Sequence, residues 1–558
     1  MPRPSIEDHC IMSVEELYSQ ATSVALKQHP KQTDKEIRYG TAGFRTKADM
    51  LDSIMYRMGL LAVLRSKIKQ GASIGVMITA SHNPQPDNGV KLVDPQGEML
   101  EAAWEAIATD LVNVSDAELG QKLKSIVESK GIQWSNPAHT VVGRDTRPSS
   151  PALLRAVLDG IAALKGEVVD LGIVSTPIVH YVVTCINSNG AYGQASEEGY
   201  YKKLTDAFKK LRPEPTNGNY QPAVKFDGAN GVGAIMMRRF IELLGPSLRV
   251  EMYNESGELN HQCGADFVKV QQRPAEGMTL APHARCVSVD GDADRIIYFY
   301  VDDNEKFHML DGDRIATLVA GYLRELLEAS GLQLDLGLVQ TAYANGSSTK
   351  YITEQLHVPV ACTPTGVKHL HHRAVDFDIG VYFEANGHGT VVFSSAAQRK
   401  IAEAGADPSL SESQRAAAGR LRDVMDVINQ TVGDAISDML LVETVLHARG
   451  WSIADWSAAY SDLPNRQLKV SVKDRTVVTT TDAERRCVTP DGLQAEIDTL
   501  VSKQPQGRAF VRPSGTEDVV RVYAEAETRT AADQLAYQVA EVLYRYAGGV
   551  GPKPTPPQ

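Results

Sequence analysis

The sequence predicts an α/β protein of several domains, and three observations carry that prediction. Short apolar runs alternate with stretches of helical period, which is the grammar of βα units. At roughly 150 residues per domain, 558 residues have room for about four domains. The texture changes once, beyond residue 457, where short β-like runs replace the βα alternation and predict a smaller α+β unit.

In chain order, residues 13–29 read as a helix, with Ser13 as N-cap and Glu16 completing a capping box. Arg38-Tyr-Gly-Thr-Ala-Gly-Phe-Arg45 is a glycine-bent loop flanked by two arginines. Residues 59–69 read as a helix and Ile74-Gly-Val-Met-Ile78 as a buried strand. Helices are expected over 98–130. A strand over 140–142 then runs into Gly143-Arg-Asp-Thr-Arg-Pro148. Ser150-Pro151 opens a helix, proline being favoured in the first helical turn. A third strand is expected near 168–174.

Residues 187–220, rich in Asn, Gly, Glu and Pro, mark a first boundary. The alternation restarts with a strand over 223–226, the loop Asp227-Gly-Ala-Asn-Gly231, a helix to Leu244, and strands over 285–289 and 296–301. Asp313 is expected to cap a helix whose stripe is Ile315, Leu318, Val319, Tyr322, Leu323, Leu326 and Leu327. Strands over 336–340 and 379–382 follow. Residues 394–420, rich in Ala, Ser and charge, read as an exposed insertion. In the last unit, β-like runs over 468–472 and 475–480 precede a helix over 531–546, and the Pro-rich tail 549–558 is expected to be disordered. The first three units share a βα grammar, with no repeat that sequence alone establishes.

Composition sets limits. Apolar residues make up 43% and charged residues 23%, an ordinary globular balance. The six cysteines are scattered with no Cys-x-x-Cys pair, which argues against a disulfide framework or a zinc site and suits a reducing compartment. A net charge of −12 disfavours nucleic acid and anionic membrane as partners. No signal-peptide pattern opens the chain, and no apolar run approaches the ~18 residues of a membrane span. A cytoplasmic location is the expectation.

Four loops carry the chemistry. Thr79-Ala-Ser-His-Asn-Pro84 follows a buried strand and precedes the turn Asp87-Asn88-Gly89, so Ser81 presents a hydroxyl from a rigid support. Pro84 fixes its exit. Asp290-Gly-Asp-Ala-Asp-Arg295 places carboxylates at i, i+2 and i+4, on one side of an extended segment. Such crowding calls for a cation, and all-oxygen ligands favour Mg²⁺. An EF-hand fails, because Arg295 and Val301 stand where Gly and Glu are required. Three carboxylates leave Mg²⁺ short of octahedral, and a phosphoryl oxygen on Ser81 would supply a further ligand.

Phe383-Glu-Ala-Asn-Gly-His-Gly389 groups Glu384, Ala385, Asn386 and His388 in a form suited to sugar hydroxyls; by itself it is no more telling than a capped turn. Arg512-Pro513-Ser514-Gly515-Thr516, followed by Arg521, offers backbone N–H groups, hydroxyls and guanidinium for an anion. Thr363-Pro-Thr-Gly-Val-Lys368 is a weaker candidate of the same kind. His369, His371 and His372 lack an acidic or Cys partner and read as helix-surface residues, not zinc ligands.

Taken together and in this order, the four loops resemble the α-D-phosphohexomutase superfamily over essentially the whole chain. Within it, Glu-Ala-Asn-Gly-His-Gly resembles the eukaryotic branch acting on N-acetylglucosamine phosphates. Gly143-Arg-Asp-Thr-Arg147 follows the serine loop here but precedes it in most of that superfamily, so the first domain is rearranged and its strand order is left open by the sequence. The resemblance implies four domains around a central cleft: three related α/β domains with mixed sheets (1–190, serine loop; 191–310, metal loop; 311–457, sugar loop) and a smaller α+β domain (458–558, phosphate loop).

It further implies a phosphoserine at Ser81 and one Mg²⁺ held by Ser81, Asp290, Asp292 and Asp294. Arg45 and Lys91 would lie near the transferred group, with Arg295 positioning the phosphoserine. Glu384, Ala385, Asn386, His388, Lys368, residues 512–516 and Arg521 would hold substrate, and Lys91 and His388 are both candidates for acid and base. The implied reaction interconverts N-acetylglucosamine 6-phosphate and 1-phosphate through a sugar bisphosphate, for UDP-N-acetylglucosamine synthesis, in a monomer or dimer. The alternative within the superfamily is a phosphoglucomutase or phosphomannomutase. A two-metal serine phosphatase would need a His-rich second site, which is not found, and a non-catalytic relative would be expected to lose the serine or the aspartates.

Overall fold

A computed structural model describes residues 13–40, 42–514 and 518–557. Three mixed sheets are followed by a smaller antiparallel one. The first contains β1 (Phe44–Lys47), β2 (Ile74–Ile78), β3 (Asp87–Val93), β4 (His139–Arg144) and β5 (Glu167–Ile173), in the order β1-β3-β2-β4-β5. The second contains β6 (Ala223–Asp227), β7 (Arg249–Tyr253), β8 (Cys286–Val289), β9 (Ile296–Val301) and β10 (Phe307–Leu310), in the order β10-β9-β8-β6-β7. The third contains β11 (Leu336–Thr341), β12 (Val360–Thr363), β13 (Ile379–Phe383) and β14 (Gly389–Phe393), in the order β12-β11-β13-β14.

These sheets are one design. In the second and third, the first strand is central and the next lies parallel on its outer side. The third strand lies parallel on its other side, and the fourth returns antiparallel. The first sheet has the same spatial order and the same parallel and antiparallel pairs, but the chain enters it at β1 and β2 and supplies the central strand, β4, later. Relative to the second sheet, its chain order is therefore rotated. That is the physical content of the rearranged Gly143-to-Arg147 segment: the strands keep their places while the connections change.

β2 is buried at every residue because helices cover both faces, Asp52–Ile68 and Ser150–Ala163 on one side and Thr176–Asn187 on the other. An uninterrupted apolar run is what such a strand requires. One continuous core runs from the first sheet through the third, from Met77 to Trp456. Across it, buried Arg285 pairs with Glu443 through Nε–Oε1 and Nη2–Oε2 contacts of 2.8 Å, and the Tyr220 and Tyr298 hydroxyls donate to the same carboxylate. Glu443→Ala would leave the guanidinium buried without its counter-ion. The expected cost is about 3–5 kcal/mol, read as a lowered unfolding midpoint.

The fourth sheet orders β15 (Asn465–Ser471), β19 (Val519–Glu525) and β18 (Arg508–Pro513), all antiparallel. Beside it stands a hairpin of β16 (Thr479–Thr481) and β17 (Arg486–Thr489). Ala509, Val511, Val520 and Val522 pack into a separate core beneath the helix Arg529–Tyr546. The alternate residues, including Arg512 and Arg521, therefore face the other way.

Several expectations are corrected. The helix expected from Gly59 begins at Asp52, and Asp311, not Asp313, is the N-cap of the helix Gly312–Ser330. Residues 394–420 are no exposed insertion. They form most of two helices, Ser395–Ala406 and Glu412–Val427, which bury Ala397, Ile401, Ala404, Ala417, Ala418 and Leu421. Alanine serves an interior or a surface equally, so composition misled there. The run 475–480 is mostly a 3₁₀ turn capped by Asp474, with β16 only three residues long. The start of the tail is pinned: Gly549 bridges Val472, and Val550 N donates to Ser471 O. Among the described residues, five cysteines are free thiols and no helix is long and apolar enough to cross a membrane.

Candidate active site

Three of the four predicted loops occupy the same place in the recurring sheet, the hairpin from the third strand to the antiparallel fourth. These are β2 to β3 for Ser81, β8 to β9 for the aspartates and β13 to β14 for Glu384. Arg512 is the last residue but one of β18, leading into the β18–β19 hairpin of the fourth sheet. Repetition of one fold element thus brings the Asp290, Glu384 and Arg512 loops to one cleft, with the Ser81 loop hydrogen-bonded behind the aspartates.

Ser81 is fully buried and left-handed, with φ 51°. A non-glycine residue there costs of order 1–3 kcal/mol and persists only where its surroundings over-determine it. They do. Arg147 donates to the carbonyls of Ser81, Asn83, Pro84 and Asp87 at 2.8–3.0 Å. Asn260, from the second sheet's loops, donates to Ser81 O and Asn83 O at 2.9 and 3.1 Å. Asp145 anchors Arg147 and accepts from Thr79 Oγ1, which itself accepts from Ser81 N. Ser81 Oγ then donates to Asp290 Oδ2 at 2.6 Å.

The Asp290 loop is a turn, not the extended segment expected from i, i+2, i+4 spacing. Ala293 is left-handed at φ 58°, and the turn converges all three carboxylates. Their ligand atoms lie within 4.8 Å of one another, all buried. A Cβ on Gly291 would stand 2.7 Å from Ser81 O, so the close approach of the two loops requires glycine. Asp292 accepts from Thr176 Oγ1 at 2.6 Å through Oδ2, while its buried Oδ1 has no partner among the described residues. Burial and the two neighbouring carboxylates push the Asp290 carboxyl well above the usual range. Against its own burial, His388 and Lys91 hold Asp294 well below it. Three buried carboxylates with an unpartnered oxygen beside the Ser81 hydroxyl are a fitting donor set for a hard divalent cation.

Beside them lies a cleft of about 570 Å³ lined from all four sheets, with Arg45, Lys91, Asp294, Arg295, Glu384, Asn386, His388 and Arg512 in its walls; Ser81, Asp290 and Asp292 are buried behind it. Lys91 Nζ lies 3.3 Å from Asp294 Oδ2 and 3.5 Å from Asp292 Oδ2. Arg295 Nε lies 3.9 Å from Asp290 Oδ2 and 4.0 Å from Asp294 Oδ1. Arg45 lines the same wall; burial, then Arg295, lower its affinity for a proton. The partner arginine of the opening loop, Arg38, is instead exposed and paired with Glu36. His82, next to Ser81, is pushed down to about 2 by burial, Arg295 and Arg45, and stays neutral. It is no base for the serine.

In the Glu384 loop, Asn386 donates to Glu384 Oε2 and accepts from His388 N. His388 Nδ1 stands 2.8 Å from Asp294 O, a pure acceptor, so Nδ1 carries the proton. Gly387, at φ 84°, packs on β9, where a Cβ would meet Ile296 O at 1.8 Å. Ala385 is half-buried at the same turn. Met99, Leu100, Val367 and Val432 supply the cleft's apolar side. A larger cavity of about 880 Å³ lies against edge strand β5, away from all four loops.

On the fourth sheet, Arg512 and Arg521 are direct cross-strand partners, and Arg512 Nε donates to Glu484 Oε1 at 2.8 Å. Pro513 completes β18 and Ser514 N donates to Val519 O; Gly515 and Thr516 lie outside the described residues. Lys368 does not reach into the cleft as a free cation: its Nζ donates to Leu100 O at 2.6 Å and to Glu105 at 2.7 Å. His369 and His372 are exposed on the helix Val367–Ala374, and His371 packs against Tyr382. Sequence reasoning missed Thr176, Asn260, Asp145, Arg147 and Glu484 as parts of the site. Only the last two aspartate and arginine positions of Gly143-Arg-Asp-Thr-Arg147 lay in a segment already marked.

Comparison with known proteins supplies the family. Residues 311–451 match the model described as phosphoacetylglucosamine mutase AMG1, domain III. Residues 55–119 and 116–198 match phosphoglucomutase/phosphomannomutase, alpha/beta/alpha domain I, and 468–542 match the C-terminal domain of that family. The chain is 52% identical to the phosphoacetylglucosamine mutase of Homo sapiens over 531 residues, covering 95% of this chain and 97% of that protein. The chain belongs to the phosphoacetylglucosamine mutase family.

Members of this family are phosphosugar mutases, and the chain is accordingly an isomerase of the α-D-phosphohexomutase superfamily. The Candida albicans member is 46% identical over 554 residues, 95% of this chain and 100% of that one. Among solved structures, Aspergillus fumigatus N-acetylphosphoglucosamine mutase superposes with a TM-score of 0.92 at 46% identity, covering 97% of this chain and 100% of that one. A complex of that Aspergillus protein with GlcNAc-6P and magnesium superposes at 0.90 and 46% identity, over 96% and 100% of the two chains.

Proposed function

We propose that this chain interconverts N-acetylglucosamine 6-phosphate and N-acetylglucosamine 1-phosphate, with Ser81 as the phosphoryl carrier. One observation carries the reading: a buried, braced Ser81 hydroxyl stands 2.6 Å from Asp290 in a three-carboxylate cluster whose Asp294 reaches a cleft lined with cations. We place the domain boundaries near residues 190, 310 and 457, so that each domain contributes one sheet and one loop.

In the proposed first step, a free sugar hydroxyl attacks the phosphorus on Ser81 Oγ. The phosphorus–Oγ bond breaks, and the hydroxyl proton passes to a base. Nε2 of His388, whose Nδ1 is committed to Asp294 O, would take that proton when the imidazole is neutral. Lys91, set between Asp292 and Asp294, is placed as an ammonium to steady charge or return a proton. The bisphosphate reorients within the cleft. Ser81 Oγ, left as the alkoxide, then attacks its other phosphorus; the bond to the sugar oxygen breaks, and that oxygen takes back the proton held by the base.

Phosphoryl transfer needs positioning and charge neutralisation above all. A Mg²⁺ ion held by Asp290, Asp292 and Asp294 would offset negative charge on the transferred group. Arg45 and Arg295 add fixed positive charge, Glu384 and Asn386 orient sugar hydroxyls, and Arg512 with Arg521 holds the non-reacting phosphate. The fourth sheet, with its own core, is proposed to move as a lid, and the enzyme to work in the cytoplasm as a monomer or dimer.

Turnover of N-acetylglucosamine 6-phosphate against glucose 6-phosphate tests the substrate assignment. A preference of about tenfold or more for the acetylated sugar is expected; equal rates would favour a phosphoglucomutase or phosphomannomutase.

A further inference from the structure

The face of the fourth sheet turned away from its own core carries a rung of like charge, beside Phe510 and Tyr523, which pack on Ala342 and Tyr343. Lys469 is opposite Arg521, and Arg521 is opposite Arg512, across three antiparallel strands. Directly opposed residues share a face, and like charges so placed repel. Such a rung needs an anion, and the structure supplies one from its own chain. Glu484 projects from the β16–β17 hairpin at the end of three consecutive left-handed residues, Asp482, Ala483 and Glu484, with φ 53°, 54° and 68°. Strain of that kind is held where a side chain must be delivered to a particular place.

Glu484 accepts from Arg512 Nε at 2.8 Å, from Thr365 N at 2.9 Å and from Thr365 Oγ1 at 2.5 Å. Its side chain is only 17% exposed. A guanidinium, a backbone N–H and a hydroxyl converging on one point are the donors that a phosphate takes. They come from two different sheets, Thr365 following β12 of the third and Arg512 near the end of β18 of the fourth.

We propose that Glu484 is the resident anion of the phosphate subsite: it holds Arg512 and Thr365 in place across the third and fourth sheets, and yields Arg512 to the substrate's non-reacting phosphate. This rests on the reading of the Arg512 loop as the phosphate site. Glu484 is a positioning residue. It keeps the donors arranged and the lid latched to the third sheet, at the cost of like-charge repulsion that the incoming phosphate must overcome. Part of the substrate's binding energy is thereby spent on opening the latch.

The test uses inorganic phosphate as probe, titrated by calorimetry into the full-length protein without Mg²⁺, so that no turnover is required. Glu484→Gln is expected to tighten phosphate binding by about threefold or more and to lower KM for the phosphosugar without raising kcat. Glu484→Asp, which keeps the charge, is expected to return affinity toward the starting value. Unchanged or weaker phosphate binding in Glu484→Gln would overturn the proposal, since a purely structural bracket would loosen the site when altered. Arg512→Ala separates the two levels. If it leaves phosphate binding intact, the phosphate-site reading itself fails; if it abolishes binding while Glu484→Gln tightens nothing, only the role given to Glu484 fails.

Discussion

Replacing Ser81 with alanine is expected to remove mutase turnover, by more than about 10⁴-fold, as loss of a covalent carrier does. The change deletes only the hydroxyl that donates to Asp290. The loop backbone is held from outside by Arg147, Asn260 and Thr79, so its shape survives the substitution. Thermal stability and phosphosugar binding are therefore expected to stay near those of the unaltered protein while kcat collapses. Ser81→Thr should be impaired for a second reason: a β-branched residue is strained at φ 51°. A Ser81→Ala protein turning over within tenfold of the original would place the phosphoryl carrier elsewhere.

Asp292→Asn is expected to uncouple stability from activity. Three buried carboxylates repel one another until a cation joins them, and Asp292 Oδ1 has no partner among the described residues. Asparagine keeps an oxygen for the Thr176 hydroxyl while removing one negative charge. In EDTA the variant should unfold at a higher temperature than the unaltered protein, because strain stored for function has been relieved. Added Mg²⁺ should raise the unaltered protein's midpoint and leave the variant's nearly unchanged. Turnover should fall by about 10³-fold, on the scale of losing one electrostatic element of a preorganised site. Removal of the metal from the unaltered enzyme should abolish activity, and returning Mg²⁺ should restore it. A variant destabilised in EDTA, or one still stabilised by Mg²⁺, would contradict the assignment of Asp292 as a ligand.

The central strands and the four loops were legible because each is a local signal. Ile74-Gly-Val-Met-Ile78 is apolar throughout because both faces are covered, and the Asp290 loop declares its chemistry in a few consecutive residues, while the Glu384 and Arg512 loops gain theirs from standing in order with it. What was not legible depends on distance along the chain. Asn260 and Arg147 lie 179 and 66 residues from the Ser81 carbonyl they share. Glu484 lies 28 residues from Arg512 and 119 from Thr365, in a hairpin whose sequence reads as an ordinary polar turn. The converging turn at Ala293 was invisible because a spacing of two fits an extended strand equally well. Chain rotation in the first sheet left a trace in motif order, but only the strand pairing explains it.

The most direct test of the central claim is peptide mapping by mass spectrometry after the purified protein is incubated with N-acetylglucosamine 1,6-bisphosphate. One phosphoryl group is expected, on the peptide carrying Ser81, lost again on adding N-acetylglucosamine 6-phosphate and absent from Ser81→Ala. A protein that turns over its substrate with no phosphate on that peptide, or with phosphate on another, would contradict the account.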